Sequence, residues 1–330
     1  MFLAVLKSRT LLAGVALVLA LAGPAASQSL TIQAEPITHF SFAPTDAKIA
    51  FVGGLELWST EPLFGAWSSV RFTPDGTHFI GVLDTGHWLS GRIARDGEGR
   101  LSGIDDGDIT PMLDGEGRRR PGKWLMDAES VALRGDDVIV GFEQRHRIDA
   151  YPATDFRNSR PQRSLPIPFP VRELRANGGL ETLVASPKEG PLAGGLLAIS
   201  EKSVDAEGRL YGGIVDGPMK GELRVVQRDD FDVTDGAFLP DGDLLLLERR
   251  FTLTTGVGMR IRRIKGSDIR PGAVLDGAVV LQAGMGDGID NMEGLDVIPH
   301  ADGSASLIMV SDDNHSILQR NLMLEFRLQD

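Results

Sequence analysis

The chain has no cysteine, and only 2 of its 330 residues are tyrosine. Without a thiol it can form no disulfide framework and no thiolate metal site, and an N-terminal lipid anchor on cysteine is not expected. Beyond the first residues no apolar run approaches the roughly 20 residues that span a bilayer without meeting glycine or charge. Positive charge is the scarcer sign, with 34 Lys and Arg against 46 Asp and Glu and a net charge of −12. That balance disfavours nucleic acid and anionic lipid as partners. Neither a Gly-x-Ser-x-Gly elbow nor a His-Glu-x-x-His helix occurs, so serine-hydrolase and zincin mechanisms lack support.

The N-terminus reads as a processing signal. Lys7 and Arg9 precede the apolar stretch Leu11 to Leu21, and Ala25-Ala-Ser27 supplies small residues for cleavage. The expectation is a signal peptide over residues 1–27 and one mature domain over 28–330, periplasmic or secreted, with no membrane insertion after cleavage. Loss of the signal takes the net charge from −12 to −14.

From Ser68 onward one pattern recurs five times: an acidic or small polar residue, a short apolar run, a Gly/Asp turn, and a second apolar run ending on a carboxylate. The units run from Ser68 to Asp84, Glu129 to Glu143, Glu181 to Glu201, Asp235 to Glu248 and Glu293 to Asp312, with starts 61, 52, 54 and 58 residues apart. Such a period predicts an all-β fold, a β-propeller of four-stranded blades. Five repeats are visible, and residues Leu30 to Ile49 leave room for part of a sixth, so the blade number is five or six. Pro74-Asp-Gly76, Gly135-Asp-Asp137, Pro240-Asp-Gly242 and Ala301-Asp-Gly303 are turn sequences. The last repeat stops at its third strand, and Val52-Gly-Gly-Leu-Glu-Leu-Trp-Ser59 resembles a fourth strand, so the N-terminal strand is expected to close the ring. Arg160 to Pro170, with four prolines, reads as an extended connection.

Antiparallel pairing puts the start of each first strand and the end of each second strand at the same rim. Nine carboxylates are thereby expected at one mouth: Glu129, Glu181, Asp235 and Glu293 from strand starts, and Asp84, Glu143, Glu201, Glu248 and Asp312 from strand ends. Confined like charges raise their own pKa values and cost stability unless countered. One remedy is a hard divalent cation, Ca²⁺ being the natural choice because it accepts six to eight oxygens, with another divalent cation possible. The other is the basic residues that follow: His87, Arg145 with His146, Lys202, Arg249 with Arg250, and His315 with Arg320. Metal and guanidinium together suit a phosphorylated small molecule. The same pattern also fits salt bridges and turn caps repeated because the blades repeat. Gly286-Asp-Gly-Ile-Asp-Asn291 resembles a Ca²⁺ loop but lacks alternating ligand spacing, and Trp58, Trp67, Trp88 and Trp124 are expected to fill space between blades.

Asp127-Ala-Glu-Ser130, Asn177-Gly-Gly-Leu-Glu-Thr182, Asp290-Asn-Met-Glu-Gly-Leu-Asp296 and Ser311-Asp-Asp-Asn-His315 with Gln319-Arg-Asn-Leu-Met-Leu-Glu325 resemble the bacterial family called esterase-like activity of phytase, the phytase-like domain proteins. The likeness covers roughly Val52 to Leu328. It implies an exported protein with phosphoester chemistry, and it points at Glu129, Glu181, Glu293, Asp312 and Asp313. Ser68 departs from the acid of the other repeats. The combined expectation is a metal-assisted phosphoesterase or phosphodiesterase. Ca²⁺ would sit on Glu129, Glu181, Glu293, Asp312 and Asp313, with Arg145, Lys202, Arg249 and Arg320 on phosphate oxygens and Glu201 as base. A non-catalytic binding or scaffold propeller with a structural cation stands as the alternative, as does a metal-dependent lactonase or carboxylester hydrolase.

Overall fold

The computed structural model describes residues 28–42, 48–119 and 123–329, so the expected signal peptide lies outside the described residues. Five small sheets stand in a ring, antiparallel but for the outer strand Val274–Leu275 that joins the third blade in parallel, each with its first strand innermost. The inner strands are Trp67–Phe72, Ala128–Arg134, Thr182–Ala185, Asp232–Phe238 and Met292–Pro299. The first of them is buried along its whole length, because an inner strand meets neighbouring blades on both faces. Tight turns send the chain outward from it. In the first blade Asp75 Oδ1 accepts the backbone N–H of Thr77 at 2.7 Å and of His78 at 3.0 Å, and Gly76 takes φ +67°.

Apolar packing is divided into five clusters, one between each pair of adjacent blades. Trp67 and Trp88 lie in these wedges, as expected, whereas Trp58 and Trp124 are exposed. Each wedge binds one blade to the next, so an open ring would leave an apolar face uncovered.

Closure is made by the N-terminal segment. Ile49–Trp58 pairs antiparallel with Asn321–Leu328 and becomes the fourth strand of the last blade. The residues expected to begin a sixth blade do something else. Gln33–Ile37 adds a fifth strand to the last blade, while Gln28–Leu30 pairs with Leu101–Pro111 of the first. Leu30 and Ile32 then pack in the wedge between those blades, so one segment clasps both sides of the seam. Within Arg160 to Pro170, expected as a bare connection, Arg163–Leu165 forms the outer strand of the second blade. Its three residues fit between the prolines.

The central channel is stoppered by charge. Arg71, on the first inner strand, sends Nη2 to Asp235 Oδ1 of the fourth at 2.7 Å. Its two Nη groups also donate to the carbonyls of Val70, Leu183, Gly236 and Leu295. Asp235 Oδ2 accepts Ser69 Oγ at 2.9 Å and the N–H of Leu295 at 3.1 Å. One ion pair therefore ties four of the five inner strands across the axis. We expect Asp235→Ala, which strands a buried guanidinium, to cost about 3–5 kcal/mol in urea unfolding. A loss below about 1 kcal/mol would contradict that role.

Candidate functional site

In four blades the first and second strands slip by one residue near the rim, leaving Ser68, Glu129, Thr234 and Glu293 as the bulged residues. Glu181 holds the matching place in the third blade, directly before its inner strand. A bulge re-aims a side chain and strengthens the local twist. At the matching ends of the second strands stand Asp84, Glu143, Glu201, Arg249 and Asp312. Four of these are fixed alike, their N–H groups donating to the carbonyls of Ala66 (3.1 Å), Asp127 (2.8 Å), Gly179 (3.1 Å) and Asn291 (2.9 Å). Arg249 pairs opposite Asp232 in the ladder.

The fourth blade corrects the expected set of nine. Thr234, not Asp235, occupies its bulge, and Arg249, not Glu248, takes the place that Asp84, Glu143, Glu201 and Asp312 hold in the other blades. A shift of one residue turns a side chain to the other face. Asp235 accordingly points down the channel to Arg71, and Glu248 is buried inside the blade against Arg260 and Arg262.

The remaining rim residues except Glu143 and Thr234 converge on a cavity of about 170 Å³, lined by Ser68, Asp84, Lys123, Glu129, Asn177, Glu181, Glu201, Lys202, Arg249, Glu293, Asp312 and Asn314. Its cations bridge blades. Lys202 Nζ lies 2.7 Å from Glu201 and 3.4 Å from Asp232, Arg249 reaches Glu201 at 3.3 Å and Glu293 at 3.2 Å, and Lys123 Nζ meets Asp84 at 2.5 Å. Asn291 Nδ2 donates to Glu293 at 2.8 Å. Of the residues nominated from sequence, Glu129, Glu181, Glu201, Lys202, Arg249, Glu293 and Asp312 are brought together here. Three are not. Asp313 accepts the N–H groups of Ala66 and His315 and the amide of Asn321, so it holds loops in place. Arg320 is engaged with Asp290 and Glu56. Arg145 faces a separate cavity beside Leu125 and Met126. The Gly286 to Asn291 segment is a capped turn, Asp287 accepting the N–H of Gly284 at 2.7 Å.

Sequence reasoning passed over Asp127 and Lys123. Asp127 stands two residues before the bulge, at the place of Ala66, Gly179, Asp232 and Asn291, and that recurring position was the available signal. Lys123 comes from a connection outside the repeat. Oxygens of Asp127, Glu129 and Glu143 lie within 4.8 Å of one another. Asp127 and Glu143 are fully buried, with Asp127 facing the carboxyl of Glu129 and Glu143 that of Glu181. Lys123 Nζ approaches Asp127 only to 3.7 Å. Glu143 Oε1 accepts the N–H of Gly179, where a Cβ would come to 3.1 Å from that oxygen and 2.5 Å from His146, so the close approach requires glycine. The arrangement can hold a metal ion. An all-carboxylate set fits a hard cation, whose ligand oxygens at 2.3–2.6 Å lie up to about 5 Å apart.

Burial, and then the charges of neighbouring acids, raises Glu129 and Glu181 well above the usual carboxylate range, with Asp127 and Glu143 raised in the same direction. Burial carries Glu293 to about 8 despite Arg249, and carries Asp312 to about 7. Around Lys202 burial opposes charge, but Glu201 and Asp232 raise its pKa overall.

These shifts set a pH dependence. A carboxyl raised by folding contributes stability that is fully present below its unfolded pKa and is lost as pH climbs through the folded value. For Glu293 and Asp312 that loss runs up through about 8 and about 7. We expect the melting temperature of chelator-stripped protein to fall between about pH 5 and 9, and a bound divalent cation to flatten the fall. A melting temperature that rises across this interval would contradict the assignment.

Among solved structures, the PQQ-bound aldose sugar dehydrogenase of Streptomyces coelicolor aligns at 14% identity with TM-score 0.47, over 87% of this chain and 100% of that one. Myxococcus xanthus glutaminyl cyclase aligns at 11% identity with TM-score 0.45, over 86% and 97%. The Cps50 (Swd1) β-propeller domain of Myceliophteria thermophila aligns at 11% identity with TM-score 0.38, over 90% and 100%. A search of curated protein sequences gave no match. The model of the phytase-like family, described as esterase-like activity of phytase, matches residues 62–315, and the chain belongs to that family.

Proposed function

We propose that the chain is an exported, metal-assisted phosphoester hydrolase whose site is the acidic cavity at the propeller mouth. The observation that carries this reading is Asp127. It is a buried carboxylate whose oxygens lie within 4.8 Å of oxygens of Glu129 and Glu143, and Glu129 in turn lines the cavity that holds Lys123, Lys202 and Arg249. Export rests on the pattern from Lys7 to Ser27. No helix among the described residues is long and apolar enough to cross a membrane.

Asp127, Glu129 and Glu143 would hold the cation, with Glu181 adjoining. When bound, a Ca²⁺ or similar ion supplies Lewis acidity toward a phosphoryl oxygen and lowers the pKa of a coordinated water. Six acids line the cavity against three cations, so a phosphate enters favourably only with that added positive charge. Lys123, Lys202 and Arg249 bind the non-bridging oxygens, and Glu293 with Glu201 fixes the Arg249 guanidinium. Asp312, at about 7, has the proton affinity of a general base near neutral pH. Glu293, at about 8, is protonated there and can deliver a proton to the leaving alkoxide. The balance is one water consumed, one P–O bond formed to it, one ester P–O bond broken, and one proton moved from water to alcohol.

Chelator-stripped protein should release p-nitrophenol from p-nitrophenyl phosphate or its bis ester only after Ca²⁺ is restored. Glu129→Gln and Lys202→Ala should each lower kcat/KM by about 10²-fold. Equal turnover with and without chelator would sink the metal-assisted reading. Turnover confined to lactones or carboxylesters would move the same site to another hydrolase class, and Ca²⁺ binding with no turnover would leave a structural ion in a scaffold.

A further inference from the structure

Large apolar side chains are exposed mainly on one rim of this ring. Trp124, Phe251, Leu253, Met285, Ile317 and Leu318 all stand on connections, or in Phe251's case on a strand end, at the rim that carries the acidic cavity. Leu253 is 96% exposed, Ile317 101% and Leu318 88%. Five of the six form one sector. Phe251 pairs with Val257 at the end of the hairpin between the second and third strands of the fourth blade, Leu253 stands in its turn, and a Cβ on Gly256 just after the turn would meet Met285 Sδ at 2.5 Å. Arg320, ending the connection that bears Ile317 and Leu318, donates to Gly288 at 3.2 Å, just beyond Met285. The sector is also continuous with the site. Lys123, Arg249 and Asn314 line the cavity, and Trp124, Phe251 and Ile317 follow them by one, two and three residues.

We propose that this rim docks on a lipid surface, so that the ester presented to the cavity belongs to the headgroup of a membrane amphiphile. The choice of a phosphoester within that headgroup rests on the function proposed above. The apolar residues stand as separate tips rather than as walls of a groove. Leu253 lies between Thr252 and Thr254, and the pair Ile317 and Leu318 lies between Ser316 and Gln319. Acyl chains close around such projections without a matching concavity, whereas a protein partner must supply one. The charges agree with the same occupant. At a net charge of −12 the chain gains nothing from an anionic surface, so insertion is driven by apolar area and suits a zwitterionic one. Trp124 places an indole at headgroup depth, and Arg145, exposed on the cavity it shares with Leu125 and Met126, is positioned for headgroup phosphate.

The test is co-sedimentation of the full protein with phosphatidylcholine vesicles, in chelator and in Ca²⁺, at low and high salt. Wild type should partition onto vesicles with little salt dependence. The variant Leu253→Asp/Ile317→Asp/Leu318→Asp should bind at least about tenfold more weakly, with unchanged melting temperature and unchanged turnover of soluble bis-p-nitrophenyl phosphate. Wild type left in the supernatant, or a variant that partitions like wild type, overturns the proposal. So does a lipid-free oligomer of wild type that the variant converts to monomer, because the sector would then belong to a second copy. Vesicle binding without ester turnover supports docking while removing the phosphoester, and ester turnover without vesicle binding does the reverse.

Discussion

Five inner strands begin at one height around one axis, so a side chain turned inward there meets its counterparts from the other blades. The site follows from that convergence. A bulge at this height aims Ser68, Glu129 and Glu293 toward the mouth, Glu181 occupies the same level without one, and the bulged Thr234 instead donates its hydroxyl to the Met292 carbonyl of the next blade. The seam strand Ile49–Trp58 and the wedges between blades keep the ring closed, and closure holds the acids together against their repulsion.

Two levels of the same channel treat charge in opposite ways. Below the mouth, Arg71 and Asp235 neutralise each other and satisfy backbone groups of four blades. At the mouth neutralisation is incomplete. Lys202 and Arg249 serve the acids of the third, fourth and fifth blades, while in the second blade Asp127 is approached by a cation only at 3.7 Å, from Lys123, and Glu143 faces Glu181. Buried acids with raised pKa values are costly to the folded state, and they are the feature on which the proposed function rests. The imbalance gives the cavity two sides, with the acids Asp127, Glu129 and Glu143 close together in the second blade and Lys202 and Arg249 tied to Glu201 in the third.

The repeat made the ring legible in the sequence, because apolar runs alternating with Gly/Asp turns leave few architectures, and the unpaired last repeat pointed to closure by Val52 to Ser59. The blade number was less legible, since Gln28–Leu30 and Gln33–Ile37 are edge strands whose partners lie in different blades. At the site, the pattern led to Glu129, Glu181, Glu201, Glu293 and Asp312. It failed in the fourth blade, where aligning acid with acid slipped the register by one and put Asp235 and Glu248 on the rim, although Arg249 was nominated separately as a cation. Similarity of side chain misled because equivalence in a propeller is set by the ladder. Lys123 and the separation of Arg145 and Arg320 from the cavity depend on how connections pack, which carries no periodic signal.

The central claim is that the carboxylates of the second blade hold a hard divalent cation. Calorimetric titration of chelator-stripped protein with Ca²⁺, repeated on Asp127→Asn, tests it most directly. We expect saturable binding near one ion per chain, accompanied by proton release because raised carboxyls must ionise, and loss of that binding in the variant. No heat in the wild type, or an identical isotherm in Asp127→Asn, would return the cluster to a set of buried acids without a metal.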